Sequence, residues 1–208
     1  MRDELRPGGR LPDLELRDHA GNVRRLSELA GGDPVVLNFY RGWWCPKEQS
    51  FFRRLVEFQD EVEVAYTRMV SISVDPAEVQ AAFRAGLGAR WTFLSDPERR
   101  YVRELDLLET TDTVHHPYVP TVFTLYPDLT ICRVWNGYWV WGRASLEELR
   151  HDLREITRRS GRTGKCRGGE LVLARPRRRP SGRCDRRGAD PLRRLSRRLF
   201  RRRDAAGR

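Results

Sequence analysis

The chain has 208 residues, 39% of them hydrophobic, and a formal net charge of +11. That length suits one sizeable core, and no run of roughly 18 apolar residues is present that could cross a bilayer. The charge is segregated: residues 158–208 hold 20 Lys and Arg against 4 Asp and Glu, whereas the residues before them hold 20 against 25. The body is mildly acidic, which excludes it as a nucleic-acid-binding domain, since such a domain carries its basic footprint on its folded face.

The opening MRDELRPGGRL lacks the apolar stretch of a secretory leader, so the expected location is cytoplasmic. Leu14, Leu16 and Val23 flank the turn signal Asp18-His19-Ala20-Gly21-Asn22 and predict an N-terminal β-hairpin. Ser27 begins a short helical turn that Gly31-Gly32 ends. Val35 to Tyr40 is a compact apolar run of the kind buried on both faces of a parallel sheet. Beyond Cys45, Phe51, Leu55, Phe58 and Val62 recur at helical spacing. A second buried strand is predicted from Met69 to Val74, then a helix from Pro76 to about Gly86, a short strand from Trp91 to Leu94, and a helix opened by Asp96-Pro97 toward Leu105. A polar loop follows from Glu109 to Pro117. Thr121 to Leu125 and Ile131 to Trp135 should pair antiparallel about Tyr126-Pro127-Asp128-Leu129, a turn composition. Ser145 with Glu148 forms a capping-box pattern, and Leu146, Leu149, Leu153 and Ile156 give the last helix its apolar stripe. The fold class expected is α/β, with a folded domain over 8–157 and a disordered, arginine-rich tail over 158–208.

The chemistry converges on Cys45. A buried strand feeds the tight turn Arg41-Gly42-Trp43-Trp44, and Pro46 suits the first position of the helix after the cysteine. Unpaired amides at a helix N-terminus carry partial positive charge and stabilise a thiolate placed there, and Arg41 is the candidate for a second positive charge. Packing as a small buried hydrophobe is the commoner fate of one cysteine, but here strand, turn and proline-opened helix together describe a site. No Cys/His pair has zinc-ligand spacing and no glycine-rich phosphate loop follows a strand, so neither metal nor other cofactor is expected.

Phe39 to Pro46 resembles the active-site turn of the peroxiredoxin-like alkyl hydroperoxide reductase/thiol-specific antioxidant (AhpC/TSA) family of the thioredoxin-fold superfamily. The resemblance runs from about Gly8 to Ile156 and includes Leu11-Pro12-Asp13-Leu14-Glu15-Leu16, Ser71-Ile72-Ser73-Val74-Asp75, Phe93-Leu94-Ser95-Asp96-Pro97 and Val119-Pro120-Thr121. It implies a central mixed sheet flanked by helices, and a thiol peroxidase acting on hydrogen peroxide or organic hydroperoxides. Cys45 would be the peroxidatic cysteine, oxidised to a sulfenic acid that a thioredoxin-like or small thiol reduces. It also implies a cis-proline at Pro120. Trp44, Glu48, Thr121, His115 and His116 are auxiliary candidates around the thiol, and Cys132 is a candidate resolving cysteine. Two departures stand out: the family's Pro-x-x-x-Thr-x-x-Cys pattern has Asn38 and Gly42 here, and the arginine usual before the later strand is Val119.

Glu48 occupies the place of a second thiol in Cys-x-x-Cys, which excludes that dithiol mechanism. A monothiol disulfide reductase or redox sensor is the second enzyme reading, and a nucleic-acid or membrane-surface binder acting through the tail is a third class. Trp43 and Trp44 are candidates to shape an apolar pocket. The cluster Trp135, Tyr138, Trp139 and Trp141 suits a homodimer contact, a core cover or a substrate surface. The tail, with Cys166 and Cys184, also has the composition of GC-rich DNA read in an unselected frame. Removing everything after Arg159 is expected to leave the cooperative thermal transition intact while lowering salt-sensitive retention on DNA, measured by calorimetry and by heparin or DNA chromatography.

Overall fold

The computed structural model describes residues 1–137 and 143–163, with side chains up to residue 160. Its elements in chain order are β1 Glu15–Asp18, β2 Val23–Arg25, α1 Leu26–Ala30, β3 Val35–Phe39, α2 Pro46–Val64, β4 Arg68–Ser73, α3 Ala77–Leu87, β5 Thr92–Ser95, α4 Arg100–Glu104, β6 Thr121–Leu125, β7 Ile131–Asn136 and α5 Leu146–Thr163. The strands form one mixed sheet in the order β2-β1-β5-β4-β3-β6-β7. β3 pairs parallel with β4, and β4 with β5, while β6 runs antiparallel to β3 and to β7. The N-terminal hairpin forms as expected, because Asp18 turns the chain: its Oδ1 accepts the amides of Ala20 and Asn22, both at 2.9 Å.

Strand alternation sorts the core into two layers. Val35, Leu37 and Phe39 of β3 join Val70, Ile72, Phe123 and Leu125 under α1 and α4. Val36 and the following Tyr40 face the other way, toward Phe51, Phe52, Leu55 and Phe58 of α2 and Leu149, Leu153 and Ile156 of α5. The helix that begins after Cys45 therefore lies across the strand that leads to it, and both ends of the Arg41–Trp44 turn are anchored in one apolar layer.

The structure moves several expected boundaries. α4 begins at Arg100 rather than at Pro97, because Asp96 serves as its N-terminal acceptor: the buried carboxylate takes the amides of Arg100, Tyr101 and Val102 at 2.9, 3.0 and 3.2 Å and the Tyr118 hydroxyl at 2.6 Å. The packed body also reaches outside 8–157. Leu5 is 2% exposed within the core, and α5 continues through 158–163, a stretch expected to be disordered. Every described peptide bond is trans, so the expectation of a cis-proline at Pro120 is corrected. The expectations for Tyr138, Trp139, Trp141 and residues 164–208 lie outside the described residues. Among the described residues no helix is long and apolar enough to cross a membrane. Asp96→Ala strands the Tyr118 hydroxyl and three helix amides in the interior, and is expected to lower unfolding free energy by about 3 kcal/mol in urea titrations.

Candidate active site

Cys45 is the N-cap residue of α2, with extended backbone, and Pro46 follows at the first helical position. Its carbonyl accepts the Gln49 amide at 3.0 Å, so the helix starts at this residue, and its side chain makes no capping hydrogen bond. The residue is 3% exposed.

The turn before it admits only glycine at its second position. Gly42 has φ +149°, and a Cβ there would come within 2.6 Å of Trp44 Nε1 and 3.1 Å of Asp75 Oδ1. This is where the family pattern has threonine; here the Trp44 and Asp75 side chains and the positive φ leave no place for its Cβ.

Three carboxylates hold the turn. Glu48, 1% exposed in the first turn of α2, accepts the Arg41 amide at 3.4 Å. It also forms a two-pronged ion pair with Arg143, Nε to Oε2 at 3.1 Å and Nη2 to Oε1 at 2.5 Å. Asp75, two residues beyond β4, accepts the Trp43 amide and the Ser73 hydroxyl, both at 3.0 Å. Its own backbone is fixed in turn, the carbonyl accepting Ser95 Oγ at 2.7 Å and Gln80 Nε2 at 3.2 Å. Asp112, in the loop between α4 and β6, pairs with Arg41 Nη2 at 2.7 Å. The same carboxylate accepts the amides of Val114 and His115 at 3.2 and 3.0 Å, and His115 Nδ1 lies 3.2 Å from both its oxygens. The His115 ring stacks on Trp44 with centroids 3.9 Å apart, and the Arg41 guanidinium sits 5.0 Å from the centre of the same ring. Among the described residues the buried Arg41 Nε has no acceptor.

The structure thus brings together Cys45, Arg41, Trp44, Glu48 and His115 of the sequence candidates. Arg41 supplies charge beside the turn but spends one end on Asp112. Pro120 and Thr121 are buried next to one another, the threonine hydroxyl donating to the Val119 carbonyl at 3.0 Å. His116 is exposed and is tied down through its backbone, its carbonyl accepting Arg99 Nε at 3.2 Å. Trp43 is 49% exposed and lines a groove of about 550 Å³ with Val79, Phe83 and Leu87 of α3. Cys132 is not brought to the site. It is skipped by the β6–β7 register, where Thr124 faces Arg133 and Leu125 faces Ile131, whereas Phe39 pairs with Thr121 at the opposite end. Three to four residues of strand separate the two ends, roughly 10–13 Å. A bridge needs Cα atoms within about 7 Å. Burial also pushes the Cys132 thiol up, toward the neutral form.

Arg143, Asp75 and Asp112 were not singled out in the sequence as site residues. Asp75 falls inside a recognised strand segment and Asp112 inside a polar loop, but Arg143 acts across 95 positions on Glu48 and leaves no local signal. Two pKa shifts report the surroundings. Burial raises Asp75, and the Trp43 amide, the Ser73 hydroxyl and His115 offset this only in part. Burial also pushes Asp112 up, but the amides of His115 and Val114 and the His115 ring together outweigh it and hold its carboxyl below the usual value. Because folding favours protonated Asp75, the stability this group contributes is complete below its unfolded pKa and is lost as pH rises through the raised folded value. Asp75→Asn, which can still accept the Trp43 amide, is expected to gain on wild type from about pH 4 upward. Urea unfolding at a series of pH values measures this, and a difference that is flat with pH contradicts it.

Comparison with known proteins agrees with this geometry. The family model described as AhpC/TSA matches residues 7–133. Provisionally named peroxiredoxins from two strains of Mycobacterium tuberculosis are 37% identical over 97 residues, 45% of this chain, and the match spans 61% of those relatives' length. Among solved structures, the peroxidoxin BcpB of M. tuberculosis aligns with TM-score 0.64 and 24% identity, covering 74% of this chain and 97% of that one. Enterococcus faecalis AhpC aligns with TM-score 0.63 and 19% identity, covering 76% and 96%. The architecture is that of the thioredoxin-like fold, and the chain belongs to the AhpC/TSA family.

Proposed function

We propose that this chain is a thiol-dependent peroxidase in which Cys45 is the peroxidatic thiol. The observation that carries the reading is the cysteine at the N-cap of α2, directly before Pro46 and at the end of a turn fixed by three carboxylates. The Cys45 sulfur attacks the terminal peroxide oxygen as the O–O bond breaks. Its product is Cys45 sulfenic acid, and the departing oxygen takes up a proton to leave as water or alcohol. A first thiol then displaces water from the sulfenic acid to form a mixed disulfide, and a second thiol releases the disulfide and restores Cys45. The position of Cys132 at the far end of the sheet supports an external thiol, thioredoxin-like or small, as the reductant. Reduction by such thiols also fits a reducing compartment, the cytoplasm.

Burial weighs against the monothiol reductase reading. A sulfur in a residue 3% exposed admits a small peroxide more readily than the disulfide of another protein. The groove at Trp43 is suited to the apolar part of an organic hydroperoxide. Stopped-flow oxidation by hydrogen peroxide, with mass spectrometry of each cysteine, should show Cys45 converted to sulfenic acid far faster than Cys132. Cys45→Ser should abolish peroxide consumption, and Cys132→Ser should reduce it only slightly. Equal rates at the two thiols would overturn the proposal.

A further inference from the structure

The family's usual activating threonine and arginine are replaced by Gly42 and Val119, so donors for the peroxide must come from elsewhere in this chain. The 109–117 loop is the part of the structure that reaches back over the turn. Its ends are held together by the Glu109 amide on the Pro117 carbonyl at 2.9 Å and by the Val119 amide on the Leu107 carbonyl at 2.7 Å. From it Asp112, with a side chain 13% exposed, grips Arg41 Nη2 at 2.7 Å and fixes His115 through both amide and ring. Arg41 and His115 in turn both pack on Trp44, the residue before the cysteine, at 5.0 and 3.9 Å. One carboxylate therefore sets the position of two donor-bearing side chains at once. Among the described residues the buried Arg41 Nε has no acceptor, which leaves it a donor for a small polar guest.

We propose that Asp112 is a positioning residue for peroxide, holding Arg41 and His115 as a pair against Trp44 in place of the missing threonine and arginine. This rests on the peroxidase reading of Cys45. The guanidinium and imidazole act on the peroxide oxygens, where charge develops as the O–O bond breaks, and not on the nucleophilicity of the sulfur itself. Loss of Asp112 should accordingly slow reaction with peroxide more than reaction with an alkylating agent that needs no oxygen-directed donor.

The test uses the full chain, reduced, with hydrogen peroxide and iodoacetamide as parallel probes of Cys45. In Asp112→Asn the amide oxygen can still accept the Val114 and His115 amides, so the loop keeps its turn while Arg41 loses its counter-charge. Peroxide oxidation is expected to fall roughly ten- to a hundredfold, with alkylation changed by less than about twofold, the latter because the N-cap position of Cys45 on α2 is untouched. Arg41→Gln combined with Asp112→Asn should be no slower than Arg41→Gln alone, because the two residues act as a unit. Asp106→Asn, which removes only an exposed pair with the N-terminal amine, should leave both rates unchanged. Asp112→Ser, which keeps an acceptor for the turn, replaces Asp112→Asn if the latter loses its thermal transition. Equal slowing of oxidation and alkylation, additive losses in the double variant, or an unchanged oxidation rate would each overturn the assignment. A wild type whose Cys45 oxidises no faster than a free thiol would instead overturn the peroxidase reading on which it rests.

Discussion

A carboxylate buried one turn into a helix must be paired, and the pairing of Glu48 with Arg143 is the interaction on which the arrangement at Cys45 depends. The two side chains are 1% and 10% exposed and meet through two nitrogens and two oxygens. An isolated charge at that depth would cost several kcal/mol. The same Glu48 oxygen that meets Arg143 also faces the Arg41 amide, so one ion pair ties the segment leading into α5 to α2 and to the turn before the cysteine. The helix start, and with it the thiol, is fixed from three directions in sequence.

The charge balance around the turn follows from the same economy. Glu48, Asp75 and Asp112 each accept a hydrogen bond from the turn or its side chains. Arg143 answers the first and Arg41 the third. Among the described residues Asp75 has no Lys or Arg partner, and burial raises its pKa. On the Trp43 side of the turn lies the apolar groove lined by Val79, Phe83 and Leu87.

The sheet explains why the two described cysteines differ. Cys45 follows the C-terminal end of β3, where parallel strands deliver their loops and where helix N-termini gather. Cys132 lies in an irregularity of β7 at the other end, packed in the α2–α5 layer, where burial keeps its thiol protonated. Position along the sheet separates the two, although each is a cysteine beside a buried strand.

Much of this was legible in the sequence because it is local. The compact apolar runs at Val35 and Met69, the helical stripe from Phe51 to Val62, the Asp18 turn and the Ser145 cap place strands and helices without reference to the rest of the chain, and Pro46 marks the helix start that makes Cys45 distinctive. Boundaries that depend on distant partners were not. α4 starts late because Asp96 caps it and holds Tyr118 from 22 residues away, and α5 runs past Thr157 to Thr163. The site divides in the same way: the amino-acid sequence alone singled out Cys45 and its turn, through residue types adjacent to it. Only the tertiary structure decided that Gly42 has no room for a side chain, that Arg143 pairs with Glu48 across 95 residues, and that Asp112 reaches Arg41 across 71. Ion pairs and close contacts of that span leave no periodicity or spacing behind, because their geometry exists only once the sheet has brought its ends together.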